Sequence, residues 1–266
     1  MSRPVQLLGP SGAPIPRAEL AAARRMATAY QAASTSHQDL ATWVPWGASA
    51  QSALTFDRDL IAARVHDIVR NDGWASSAMD RLVDNVVGAG WNLSARPNAR
   101  SLGIDAEDAA ALADTIEAEW QDYADDPGFH CDAGRRGPAG MVLALAFRHR
   151  VLDGEALGVL YWLPRGGSAA TAMQVVDPDR LSNPYLRLDT ETLRAGVEMD
   201  GIGAPIAYHV RSQHPGDDIL AFSQRWTWER VSRETDWGRP FVVHAFEPGR
   251  AGQVRGVSPL APILKK

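Results

Sequence analysis

Ala139-Gly-Met-Val-Leu-Ala-Leu-Ala-Phe-Arg-His-Arg-Val-Leu-Asp-Gly-Glu-Ala-Leu-Gly-Val-Leu-Tyr-Trp-Leu163 holds the switch that decides the fold. Pro138 suits a first helical position, where its missing N–H costs nothing, and Met141 to Leu152 continues as a markedly apolar helix. Asp153-Gly154 ends it, and Ala156 to Leu163 then reads as a short β-type run. The longest apolar run, Ala139 to Phe147, is about half the length that spans a bilayer.

Downstream the period-two or short β-rich pattern persists. Met173 to Val176, Leu193 to Met199, Pro205 to Val210, Trp226 to Val231 and Phe241 to Phe246 are predicted strands, bounded by Gly, Pro and Asp turns. Upstream the pattern is helical. Ile61, Val65, Ile68 and Val69 recur at helical spacing, with Asn71-Asp72-Gly73 as a stop through residues that tolerate left-handed angles. Ala78, Met79, Leu82, Val83, Val86 and Val87 form the stripe of a second helix closed by Gly88-Ala89-Gly90, so the pair predicts a helical hairpin. Trp91 to Ala95 alternates like a strand. Asp105-Ala-Glu-Asp108 puts acids at the start of a helix, where they complement its dipole, and Leu112, Ile116, Trp120 and Tyr123 share one of its faces. A helical half followed by a β-rich half predicts an α+β fold, and the absence of a fixed-period repeat disfavours a solenoid or propeller.

The ends differ from this body. Residues 1–56 are rich in Ala, Ser, Gln, Gly and Pro, with a helical stretch expected at Ala18 to Ala33, and read as a flexible arm whose large apolar residues include Trp43, Val44 and Trp46 around Pro45. At the other end, Ser258-Pro259 is a cap and first-turn pair, and Leu260, Ile263 and Leu264 begin an apolar stripe that then stops. That predicts a truncated helix, and hence a chain that is the front part of a longer protein, since one turn of helix does not sustain itself.

The 266 residues are 45% hydrophobic and 22% charged, enough apolar material for a core. With 27 Lys+Arg against 32 Asp+Glu, the net charge of −5 opposes non-specific binding to a phosphate backbone. One cysteine, Cys131, excludes an internal disulfide framework and a thiolate zinc cage. The N-terminus lacks the apolar core of a secretory signal.

Catalytic patterns are sparse. No Gly-x-Ser-x-Gly elbow or Gly-Lys-Ser/Thr loop occurs, and Cys131 sits beside His130, a spacing that points the two side chains apart. The carboxylate pairs Asp153/Glu155 and Asp177/Asp179 read first as turn and strand-end chemistry. They also define the competing possibility, a metal-assisted hydrolase using Asp153, Glu155 and His149. His209, His214 and His244 meet only if their strands are neighbours. The arginine groups Arg135/Arg136, Arg148/Arg150 and Arg250/Arg255 are expected as solvated surface or subunit ion pairs, with a DNA-binding face as the third alternative.

Several stretches, in order, carry a resemblance: Ala63-Arg-Val-His-Asp-Ile-Val-Arg-Asn-Asp-Gly-Trp-Ala75, Asp84-Asn-Val-Val-Gly-Ala-Gly90, Leu152-Asp-Gly-Glu155, Met173-Gln-Val-Val-Asp-Pro-Asp-Arg180, Gly196 to His209, His214-Pro-Gly216, Val243-His-Ala-Phe246 and Gly249-Arg-Ala-Gly-Gln-Val-Arg-Gly-Val-Ser-Pro-Leu-Ala-Pro262. From about Phe56 to the last residue the chain resembles the lambda-type portal proteins of tailed bacteriophages, over the front half of the family sequence. The resemblance implies a non-enzymatic homo-oligomer, usually a twelvefold ring at one capsid vertex, assembled in the host cytoplasm and carried in the virion or encoded by a prophage. Its implied partners are the terminase large subunit, head-completion or tail connector proteins, major capsid or scaffold protein, and double-stranded DNA that passes without sequence-specific binding. No cofactor, metal or membrane is implied. The implied layout is an arm at 1–56, helical wing and stem at 57–153, a β-rich clip-like segment at 154–247, and a loop with the start of a truncated helix at 248–266, the remaining stem and crown being absent. Arg70, Asn71, Gly154, Glu155, Gly252, Gln253, Arg255 and Gly256 are the expected subunit-interface or structural-motif residues.

Overall fold

Asp153 and Gly154 end the last helix and Glu155 opens the first strand, so the switch from helical to β structure falls where the sequence placed it. The computed structural model describes residues 13–20, 31–34, 37–220 and 226–264, with the side chains of 31 and 218–220 outside that description. The chain divides into two units, Met1–Ala48 and Ser49–Lys266. In the first, residues 17–20 are helical and Gln31–Ala33 forms a 3-10 turn. The rest of the helix expected at Ala18 to Ala33 lies outside the described residues.

The second unit begins with α1 (Ala50–Leu54), whose Gln51 and Leu54 are buried. α2 (Arg58–Asn71) and α3 (Gly73–Val86) form the hairpin, but its turn works differently from the expectation. Asp72 is extended rather than left-handed, Gly73 is already helical, and the Asp72 carboxylate accepts from the N–H groups of Trp74 and Ala75 at 2.9 Å. This side-chain cap satisfies orphan donors and contributes about 1 kcal/mol. α3 buries Met79 and Val83, with Val87 just beyond its end, and Gly88 follows in the left-handed region (φ 59°).

Trp91 to Ala95 is not a strand. The segment is irregular, and its Ala95 N–H donates to the Glu117 side chain instead of to a ladder. After α4 (Ala99–Leu102) comes α5 (Ala106–Ala124), capped as expected by Asp105, which accepts from the Asp108 N–H. α6 (Ala139–Leu152) starts one residue later than expected, with Pro138 as its cap. Met79, Val83, Val87 and Val151 form the helical core, joined by Phe147 and Leu260.

The β-rich half is two antiparallel sheets. One has the order β2 (Thr171–Val176), β1 (Glu155–Trp162), β7 (Val242–Phe246); the other runs β3 (Leu193–Arg194), β4 (Val197–Met199), β5 (Pro205–Arg211), β6 (Trp228–Ser232). Leu193 to Met199, expected as one strand, is a hairpin, because Ala195 (φ 47°) and Gly196 (φ 87°) are both left-handed, the twist a two-residue connection needs. A Cβ on Gly196 would lie 2.6 Å from the Ser182 nitrogen. Leu157 and Val159 of β1 meet Val197, Met199, Tyr208 and Val210 of the other sheet in a shared core, where each fully buried side chain contributes about 1.5–3 kcal/mol.

Candidate functional site

The period of two along β1 puts Glu155 on the same face as Leu157 and Val159, so a carboxylate enters an apolar core. It is fully buried. Its Oε1 accepts from Arg58 Nη2 at 2.9 Å and from Arg255 through Nε at 2.8 Å, with Nη2 at 2.6 Å. Its Oε2 accepts from the Gly256 N–H at 2.7 Å and lies 2.9 Å from His244 Nε2. Burial alone would push this carboxyl up, but the pull of Arg255, His244 and Arg58 outweighs it and holds the group well below the ordinary glutamate range.

Arg255 is 2% exposed, a correction to the expectation of a solvated or surface-paired arginine. Its remaining N–H groups donate to three carbonyls from separate segments: Leu181 at 2.6 Å, Ala195 at 2.8 Å and Pro178 at 2.7 Å. A planar guanidinium with fixed donor directions can tie one carboxylate and three backbone oxygens at once, whereas an ammonium cannot. Arg58 extends the network from Glu155 to Asp179 (3.1 Å) and the exposed Asp59 (3.0 Å). Burial lowers its pKa, yet the surrounding acids leave it above the ordinary arginine value.

The backbone makes this network possible. Gly154 has φ 81°, and a Cβ there would sit 2.0–2.3 Å from the main chain of Val257; one on Gly256 would sit 2.2 Å from the Gly154 oxygen. Two glycines thus let the 249–258 strap cross the α6–β1 junction in contact. Ser258 then donates to the Val151 carbonyl at 2.7 Å, satisfying an end of α6, and accepts from the Leu260 N–H. After Ser258, where the sequence predicts the start of a helix, the described residues form one 3-10 turn, Ala261–Ile263. Gln253 holds the strap's curve by donating to the Arg255 carbonyl and accepting from the Gly249 N–H, while Gln51 accepts from the Val254 N–H.

Asp153 forms a second buried node. Its two oxygens meet His66 Nε2 and His149 Nδ1, each at 2.7 Å. Burial opposes ionisation, but the two histidines outweigh it and keep the carboxyl below its ordinary range; the same bond raises His66. Asp177 caps a 3-10 turn by accepting from the Asp179 N–H. Asp177, Asp179 and His214 lie close enough for three cation ligands. However, His214 Nδ1 accepts from the Gly216 N–H, which puts the neutral ring's proton on Nε2, the nitrogen facing Asp179 at 3.6 Å. A cation would have to invert that tautomer and compete with Arg58 for Asp179.

The three later histidines meet different carboxylates: His209 meets Glu198, His214 faces Asp177 and Asp179, and His244 meets Glu155. Asp153, Glu155 and His149 do not converge on an open position. Every oxygen of both carboxylates is engaged, and nothing in the geometry favours hydrolysis. Cys131 is buried and its thiol is pushed up by burial, while His130 bonds Asp126.

Of the eight singled-out residues, Gly154, Glu155, Arg255 and Gly256 meet in one cluster and Gln253 braces it. Gly252 (φ 77°) sits in open space, and Arg70 and Asn71 lie at the exposed end of α2 near Asp67. Sequence reasoning missed Arg58, His66 and His244 as parts of the network. A helical arginine whose neighbours at Ala62 and Val65 are core residues was the available signal for Arg58.

The surface of the helical half is apolar in places. Trp74 is 89% exposed, Met141 59% and Trp91 55%, accompanied by Leu82, Val86 and Leu145. Among the described residues, no helix is long and apolar enough to cross a membrane.

A family model described as phage portal protein, lambda family, matches residues 36–266. The portal protein of Escherichia phage N15 is 34% identical over 226 residues, 84% of this chain and 42% of its own length. Portal protein B of Escherichia phage lambda is 31% identical over 262 residues, 98% of this chain and 47% of its own length. The chain spans about half the length of these relatives.

Proposed function

Because the chain belongs to the lambda family of phage portal proteins, we propose that its work is mechanical: it is part of a head–tail connector subunit that forms a ring at one capsid vertex, through which DNA is packaged and ejected. The observation that carries this reading is the set of large apolar side chains left in water on α3, the Gly88–Leu93 segment and α6, headed by Trp74, Trp91 and Met141. Exposed apolar surface of this kind marks association sites. The charged residues point the same way, since Glu155 and Asp153 have their oxygens engaged within the fold and fit a role in holding segments together.

In this reading the helices through Leu152 belong to wing and stem, the two sheets to a clip-like part, and the subunit carries out no bond making or breaking. Gly154, Glu155, Gln253, Arg255 and Gly256 form the joint between these parts, and Arg70, Asn71 and Gly252 face neighbouring subunits. The partners are further copies of the chain, in a ring of twelve, together with the terminase large subunit, connector proteins, and capsid or scaffold protein. DNA passes without being gripped, consistent with an acidic balance that gives phosphates no long-range attraction. Negative-stain imaging and mass photometry of the complete gene product at micromolar concentration should find rings. Monomers alone would overturn the proposal.

A further inference from the structure

Two surfaces of opposite character lie on successive segments of the chain. From Asp105 to Asp126, α5 and its flanks carry nine acidic residues and no Lys, Arg or His. Among the described residues no arginine lies within ion-pair distance of these acids. Pairs such as Asp114/Glu117 and Glu119/Asp122 repel at helical spacing. On the same helix Leu112 and Ile116, one turn apart, are both more than a third exposed. α5 is therefore an amphipathic helix whose apolar stripe is only partly covered and whose charge is unmatched by any arginine among the described residues.

Residues 127–166 reverse the sign. They hold five arginines, and of their three acids Asp153 and Glu155 are buried, while Asp132 is engaged locally by the backbone N–H groups of Gly134 and Arg136. Here a groove of about 400 Å³ has Met141, Val142 and Leu145 among its lining residues, with Arg136 and Arg148 beside them. Arg148 also reaches Asp80 at 2.5 Å and stays 39% exposed.

We propose that α5 of one copy seats its Leu112/Ile116 stripe in the Met141/Leu145 groove of the next copy, its acids against Arg136 and Arg148. Charge complementarity selects the occupant. An α5-to-α5 contact would bring like charges together, and a groove-to-groove contact would do the same with arginines. The two patches are different surfaces, so the contact is head-to-tail, the kind that closes into a ring when its rotation permits. Apolar matching gives the contact its area, and the charges set its register and partner. The inference rests on the portal-subunit reading and names the surfaces that reading leaves open.

The test uses the complete gene product and two charge-reversed variants, Asp108→Arg/Glu119→Arg, whose acids lie beside the Leu112/Ile116 stripe at helical spacing, and Arg136→Glu/Arg148→Glu. Each variant alone should lose rings at physiological salt while keeping the wild-type circular dichroism spectrum. An equimolar mixture should regain them, because every junction then pairs opposite charges, and raising ionic strength should weaken wild-type assembly. Arg136→Glu alone, which leaves the Arg148–Asp80 bond intact, should weaken assembly and provides the readout should the double variant misfold. Rings from both reversed variants, or failure of the mixture to regain them, would overturn the contact while leaving the ring reading intact. A wild-type protein that never forms rings would instead overturn the portal-subunit reading.

Discussion

Glu155→Gln keeps the side chain's size and removes the charge that Arg255 and Arg58 share. Arg58 retains Asp179, but the other partners of Arg255 are neutral carbonyls, so its charge loses the carboxylate that neutralises it. The new amide also has two donors where the carboxylate had only acceptors. One of them must face either the arginines or the Gly256 N–H, leaving a buried donor without a partner at about 1–3 kcal/mol. Breaking a buried ion pair from one side costs about 3–5 kcal/mol in all, a large fraction of the roughly 5–15 kcal/mol that stabilises a native protein. The assay is urea unfolding of the 266-residue chain followed by tryptophan fluorescence and far-UV circular dichroism, with Glu119→Gln on exposed α5 expected within about 0.5 kcal/mol of wild type. Arg255→Met should cost a similar amount, and the double variant should cost less than the two combined, with coupling of about 0.5–3 kcal/mol. Because the Glu155 pKa is depressed by folding, its contribution is complete above the ordinary glutamate value and erodes as pH falls below it, so the variant's acid limb should be shallower. A loss below about 1 kcal/mol with an unchanged spectrum would refute the view that this carboxylate ties the strap to the sheets.

Two further effects follow from the same geometry. Gly154→Ala drives a methyl into the Val257 main chain and should cost about 3 kcal/mol or more, whereas Gly252→Ala, equally left-handed but in open space, should cost about 1–2 kcal/mol; thermal melts of the pair separate contact from backbone strain. The His66 pKa is raised above 6.5 chiefly by its bond to Asp153, so its contribution is complete below 6.5 and is lost as pH rises through the folded value. Urea midpoints should fall across that window in wild type and stay flatter in His66→Gln; equal slopes would remove His66 from the stabilising role assigned to the Asp153 node.

Local physics made much of the secondary structure legible. The apolar repeat of α3, the acid cap of α5, Asp153-Gly154 and the strands β1, β2, β5, β6 and β7 are encoded within a few residues of where they occur. Readings failed where neighbours in space set the outcome. Trp91 to Ala95 alternates like a strand but has no ladder partner, its Ala95 N–H going to Glu117. Asp72 carries out as a side-chain cap what was expected of left-handed Asn71 and Gly73.

The candidate site divides along the same line. By itself the sequence determined that residues 139–163 turn from helix to strand, that glycine stands at 154 and 256, and that a lone thiol and a scarcity of catalytic spacing leave few routes to chemistry. Only the tertiary structure decided that Glu155 and Arg255, 100 residues apart, are buried on one another with Arg58 and His244 closing the network. A charge entering an apolar core is stabilised only by partners that the fold delivers from distant segments, and no local window of residue types contains that information.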